Sequence, residues 1–253
     1  PETGGWRPLA DNGGLRRPEA RDMSASLLLP PAQDQRVMVI GGKSFGGDPN
    51  TPGVSPPAIR DTDVIDLKKG MNARYQAGPN LPQGPVNVAS TRNPQFVAQQ
   101  GNAGKTYVSA VILPDGTVFE TGGSQDNRAN HVHEASILNP RNKKPSQMKW
   151  KSVSADPVSR TYHNTAVLLD DGRVLAAGSN PGGLGRDGDS TFDTRISIYY
   201  PPYMYKDNGA RPQITALPKK GGKKLGWSYG SKPVIKANTK VVRASLIRPV
   251  AVT

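Results

Sequence analysis

The sequence predicts an all-β protein, an incomplete β-propeller followed by the first strands of a β-sandwich. Three observations predict it. A strand, a turn, a second strand and a glycine-rich exit recur as one unit along the chain. No window longer than ten residues keeps the i, i+3, i+4 apolar spacing of a helix without a Pro or Gly break. The 28 glycines and 24 prolines punctuate short, β-rich apolar runs, as a turn-rich globular protein requires.

The first unit is "SASLLLPPAQDQRVMVIGG" (24–42), the second "YVSAVILPDGTVFETGG" (107–123) and the third "YHNTAVLLDDGRVLAAGS" (162–179). Asp115-Gly116 and Asp171-Gly172 read as two-residue hairpin turns, because glycine tolerates the positive φ such turns need. Each unit is followed, after a polar loop, by one more short strand: "TDVIDL" (62–67), "EASILNP" (134–140) and "RISIYYPP" (195–202). The last two end in proline, which cannot donate to a ladder and closes the strand. This is the layout of a β-propeller blade, in which each sheet covers its neighbour's apolar face. Stretches 45–58 and 83–104 read as loop insertions at a functional rim.

After Tyr205 the texture changes. "KDNGARPQITALP" (206–218) reads as a turn-rich joint, and "GWSYGSKPVIKA" (226–237) and "KVVRASLIRPVAVT" (240–253) alternate like sandwich strands. We place the boundary near 208–212, with propeller blades over 1–208 and the sandwich beginning over 209–253. A propeller closes four to eight blades into a ring, so three or four units are expected to be completed by sequence at both ends. That sequence is expected on a second polypeptide, in disordered segments, or in segments removed by proteolysis.

Composition narrows the function. The formal net charge is +13, with lysine and arginine gathered in "RNKKPSQMKWK" (141–151) and "KKGGKK" (219–224). Such stretches read either as solvated loops or as a surface for an anionic polymer or cell envelope. No basic helix or RNA-binding signature accompanies them, which argues against nucleic acid. The absence of cysteine excludes a disulfide framework and thiolate metal sites within the chain. No apolar run reaches the roughly 18 residues of a membrane span.

The chemistry-bearing residues are few. Tyr162 and His163 stand just ahead of the third unit's first strand. Adjacent strand residues point to opposite faces, so a shared ligand requires an irregular backbone there. From Tyr107 to Gly116 is nine steps and from Tyr162 to Gly172 ten, the extra residue that a β-bulge supplies. The alternative is a packed tyrosine beside a hydrogen-bonded histidine. His131 and His133 share a face if extended, and read as a solvated strand entry or a metal pair.

"SRTYHNTAVLLDDGRVLAAGS" resembles the copper-ligand blade of the copper radical oxidases, the family of galactose oxidase and glyoxal oxidase. "ILPDGTVFETGGS" is similar to the family's preceding blade. "TFDTRISIYYPPYMYKDNGARPQIT" (191–215) is similar to the passage into its immunoglobulin-like C-terminal domain, and "ASLIRPVAVT" (244–253) to the segment before its second histidine ligand. The resemblance implies that Tyr162 is the axial tyrosine, ligand and general base, and that His163 is an equatorial copper ligand. The second histidine would follow Thr253. The tyrosyl radical, on a tyrosine linked to a cysteine, is expected on sequence outside this chain, which has no cysteine.

The implied reaction is oxidation of a primary alcohol or aldehyde, carbohydrate or small molecule, by O2 with release of H2O2. Copper takes one electron and the tyrosyl radical the other, while a bound cation favours the phenolate that accepts the substrate proton. The isolated chain is expected to be inactive, and the whole protein to be secreted or associated with the cell envelope. Arg128 and Arg186, in the polar loops after two glycine exits, are candidate substrate binders. The rival reading is a non-catalytic propeller that binds glycans or a protein partner.

Overall fold

Strands form where the apolar runs fall. The computed structural model describes residues 5, 13–44, 57–83, 104–126, 129–179, 193–205, 212–217, 219–220, 223–224, 228, 230–241 and 243–247. Apart from short 3₁₀ turns, no helix occurs among the described residues, and none is long and apolar enough to cross a membrane. The protein is all-β, and its sheets are antiparallel. Two compact units divide the chain, one ending at Tyr199 and one running Tyr200–Arg248.

In the first unit, β1 (Ala25–Leu28), β2 (Arg36–Ile40), β3 (Thr62–Asp66) and β4 (Tyr75–Ala77) pair in chain order. Next come β5 (Ser109–Ile112) and β6 (Val118–Thr121), a small hairpin of β7 (Ser124–Asp126) and β8 (Ala129–His131), then β9 (Ala135–Leu138) and β10 (Trp150–Val153). β5, β6, β9 and β10 make a second four-stranded sheet with the hairpin set apart. β11 (Thr165–Leu168), β12 (Val174–Ala177) and β13 (Ser197–Tyr199) make a third. All three predicted strand–turn–strand units form, each with its following strand. β4 and β10 end their sheets, and the exposed Lys151 of β10 suits an edge, where lysine discourages further pairing. The end of the basic stretch 141–151 is thus strand. Met148 is buried and Trp150 packs against the core, while Lys149 and Lys151 stay exposed.

The hairpins differ from the two-residue turns expected. Leu113 N–H donates to Thr117 C=O at 2.8 Å, and Gly116 N–H to Leu113 C=O at 2.9 Å. The loop is therefore three residues, Pro114–Gly116, with Gly116 left-handed at φ 81°. Leu169, Gly172 and Arg173 repeat the same pair of bonds at 2.8 and 3.0 Å, with Gly172 at φ 88°. In both, the aspartate side chain accepts the backbone N–H two residues on, at 3.0 Å. A type I turn followed by a left-handed glycine gives this loop, and the Asp–Gly pair serves it as well as a two-residue turn.

One apolar cluster joins the first two sheets: Met38, Ile40 and Val64 of one with Val108, Val118 and Leu138 of the other. Burying each such side chain contributes about 1.5–3 kcal/mol. The opening strands lie side by side, β1 beside β5 and β5 beside β11. Backbone bonds stitch them: Gly42 N–H donates to Lys105 C=O at 2.8 Å, and Gly123 N–H to Arg160 C=O at 2.5 Å.

A second repeat is ionic. Ahead of each opening strand a cation is buried: Arg21, Lys105 and Arg160. Each donates to a carbonyl just before its own sheet's third strand. Arg21 reaches Asp61 C=O at 3.0 Å, Lys105 reaches Glu134 C=O at 2.5 Å, and Arg160 reaches Arg195 C=O at 2.9 Å. Each is also paired with a buried acid: Arg21 with Asp63, Lys105 with Glu120 at 2.7 Å, Arg160 with Asp156 at 3.4 Å. Burial lowers the pKa of Arg21, against the opposing pull of Asp63.

In the second unit, β14 (Ile214–Ala216) pairs with β17 (Lys236–Ala237), and β15 (Lys219–Lys220) with β16 (Lys223–Lys224). The described part of 240–247, expected as a strand, forms none. Its side chains lie in the open, with Leu246 86% exposed, so no apolar contact rewards the ordering of a strand there.

Candidate functional site

The site is built from a turn. Thr161–Asn164 closes with Asn164 N–H donating to Thr161 C=O at 3.1 Å, and Tyr162 and His163 occupy its corners. His163 is left-handed at φ 59°, a conformation uncommon outside glycine, with histidine among the residues that adopt it more readily. The two rings stack with centroids 3.7 Å apart and planes 26° apart. Tyr107 meets Tyr162 edge-on at 5.4 Å. Tyr162 is half-buried and His163 exposed.

The irregular backbone expected at this pair is present, but it is a turn rather than a β-bulge. β11 and β12 pair without a break from Thr165↔Ala177 to Leu168↔Val174. Counted from the buried cation, the first strand begins four residues on in the first two sheets and five residues on in the third. The extra residue therefore sits outside the ladder, where a turn absorbs it without disturbing register.

Several bonds hold the turn. Asn164 Nδ2 donates to Tyr107 C=O at 2.7 Å and also to Thr161 C=O, and Ser109 Oγ donates to Asn164 Oδ1 at 2.7 Å. Thr161 N–H donates to Ser179 Oγ at 3.1 Å. Arg160, 1% exposed, donates to Gly178 C=O at 2.6 Å. Gly178 is left-handed at φ 79°, and a Cβ there would come 2.5 Å from His163 C=O, so no larger residue fits without moving the turn. Nearby, the side-chain bond from Arg195, helped by its backbone N–H, pulls the Asp193 carboxyl down to about 2.

The sequence named Tyr162 and His163, which the structure brings together, and did not name Asn164, Ser109 or Arg160, which hold the turn. The signal available was positional. Met23, Tyr107 and His163 each stand two residues before an opening strand, and all three are left-handed, at φ 52°, 57° and 59°. Arg128, Arg186 and Thr253 lie outside the described residues. His131 is buried at the end of β8. His133 is half-buried, its Nδ1 2.7 Å from Asp156 C=O and its Nε2 3.2 Å from Ser159 Oγ, which is a structural engagement.

A phenol oxygen and an imidazole nitrogen are ligand types that copper(II) accepts. Tyr162 and His163 fit as two donors on one side of a fixed turn. Among the described residues, no three of His, Cys, Asp or Glu gather into a further metal set. A cavity of about 460 Å³ lies at the corresponding end of the first sheet, lined by Arg17, Glu19, Arg60, Asp61 and Asn80 among others, and does not include the turn.

Residues 83–203 match the family described as Glyoxal oxidase N-terminus. Galactose oxidase of Gibberella zeae is 28% identical over 223 residues, which is 81% of this chain and 31% of that protein. The aldehyde oxidase GLOX of Vitis pseudoreticulata is 30% identical over 138 residues, 52% of this chain and 26% of that protein. A solved structure, a novel fungal alcohol oxidase of the AA5 family in complex with copper, is similar in fold with a TM-score of 0.54 at 19% identity, covering 78% of this chain and 35% of that one. The chain thus spans about a third of the length of the galactose oxidase it matches.

Proposed function

We propose, of a chain that belongs to the copper radical oxidase family, that it carries part of a copper centre within a β-propeller. The whole protein would oxidise primary alcohols or aldehydes, carbohydrate or small, with O2 as the acceptor and H2O2 as the product. The observation that carries this reading is the turn that stacks consecutive residues Tyr162 and His163. The side-by-side opening strands support the propeller, because blades meet along their inner strands.

In this reading Tyr162 Oη and a nitrogen of the His163 imidazole hold the metal. Copper, when bound, would accept one of the two electrons released by the alcohol, and a radical cofactor that this cysteine-free chain does not supply would accept the other. Tyr162 Oη accepts the proton of the substrate hydroxyl, as a general base placed within hydrogen-bond reach must. The left-handed backbone at His163 keeps the imidazole beside the phenol. The chain has no cysteine and cannot itself form a tyrosine–cysteine radical cofactor, so this polypeptide alone is proposed to be inactive. Titration of the chain with Cu(II), followed by electron paramagnetic resonance, tests the reading. One site per chain is expected, weakened by Tyr162→Phe and lost in His163→Ala. Equal binding by all three forms would falsify it.

A second reading concerns the partner. Residues 208–253 hold seven lysines and three arginines with no acid, against 23 basic and 20 acidic residues before them. We place the protein outside the cell or at its envelope, with this unit against an acidic polysaccharide.

A further inference from the structure

The geometry points to Asn164 as the positioning residue that stacks His163 on Tyr162; this rests on the copper-site reading for its purpose, but not for its test. The argument comes from the repeat. Between the first two sheets, Tyr107 N–H donates to Met23 C=O at 2.9 Å, joining one left-handed residue to the next. Between the second and third sheets, the corresponding acceptor is Tyr107 C=O, and the corresponding donor is the backbone N–H of His163. That bond is replaced. The acceptor takes its hydrogen bond from the side chain of Asn164, at 2.7 Å.

The extra residue explains the replacement. It lengthens the segment between Arg160 and Thr165, pushes the backbone out into a turn, and withdraws the His163 N–H from the seam. A carboxamide restores the lost donor and leaves Tyr162 and His163 free to stack. Both ends of the amide are used, since Oδ1 accepts from Ser109 Oγ at 2.7 Å and Nδ2 also reaches Thr161 C=O within the turn. The space is kept open from the other side. A Cβ on Gly122, left-handed at φ 70°, would come 3.2 Å from Asn164 Oδ1. Asparagine alone among residues of this size supplies a donor to Tyr107 and an acceptor to Ser109 at once.

The test compares the full chain with Asn164→Asp, Asn164→Ala and Ser109→Ala. Asp matches Asn in shape, so it keeps the fold while replacing the donor with an acceptor. Without metal, the His163 ring protons of the parent are expected to show the ring-current displacement of a stacked phenol. In Asn164→Asp and Asn164→Ala they are expected near the values of a free imidazole, with the backbone amide spectrum elsewhere unchanged. With Cu(II) as the probe, both variants are expected to bind about 10–100-fold more weakly, the range for residues that orient metal ligands. Ser109→Ala, which removes only the acceptor side's partner, should have the smaller effect. Retention of the displaced His163 signals in Asn164→Asp overturns the inference, whatever copper does. Copper binding that ignores His163→Ala, together with lost stacking in Asn164→Asp, overturns the copper reading and leaves the positioning role standing.

Discussion

At the scale of single residues, the site depends on backbone posture. Three side chains as different as Met23, Tyr107 and His163 take the same left-handed conformation two residues before a strand. Met23 C=O and Tyr107 N–H bond directly across the first seam, while at the second seam the Asn164 side chain bonds Tyr107 C=O and His163 keeps the same posture inside its turn. Gly178 guards this posture at His163. Gly178→Ala puts a methyl group against His163 C=O and a side chain into a left-handed position. It is expected to lower stability by about 1–3 kcal/mol, the range for residues held in such regions, measurable by urea unfolding. Copper retention should fall with it, because the turn must move to make room.

At the scale of elements, the buried cation ahead of each opening strand does what no strand pairing does. It ties the start of a sheet to the start of that sheet's third strand. Lys105 and Glu120 are the clearest case, 2.7 Å apart at 2% and 1% exposure. Lys105→Met leaves a buried carboxylate without its partner and is expected to destabilise by about 3–5 kcal/mol. Lys105→Met with Glu120→Leu should recover part of that loss, since it removes the unpaired charge but leaves Glu134 C=O and Ser136 Oγ without these partners. Thermal melts of the two variants check both statements. These cations were not legible in the sequence, because a lone Lys or Arg beside a strand looks like ordinary surface charge. The opening strands were legible, because "SAVIL" and "TAVLL" are apolar runs closed by Asp-Gly. β10 was not, since Lys151 and Ser152 at its centre are both exposed, which breaks the period-2 alternation, and it begins inside a basic stretch. Tyr162 and His163 could be named from their place in the repeat. Asn164 could not, because its role is to bond to a residue 57 positions earlier, a proximity that only the seam creates.

At the scale of the molecule, charge is divided unevenly. The stretch from 208 onward carries ten of the 33 basic residues and none of the 20 acidic ones, so no ion pair can form within it. Attraction to a polyanion then acts through exposed charges and is screened by salt. Binding of the full chain to a polyuronate is expected to be strong near 0.01 M salt, where the screening length is about 30 Å, and to vanish near 1 M, where it is about 3 Å. Salt-independent retention on an immobilised polyuronate would instead mark contacts of another kind, and would remove the acidic polysaccharide from consideration.

The recurrence of one backbone shape at three stations has a practical consequence. A thioether, a phenol and an imidazole occupy stations of equal conformation, each presented at the start of a sheet. What a station displays is thus set by its side chain, whereas bringing two rings together at one station takes an added residue and a carboxamide to keep the seam bonded.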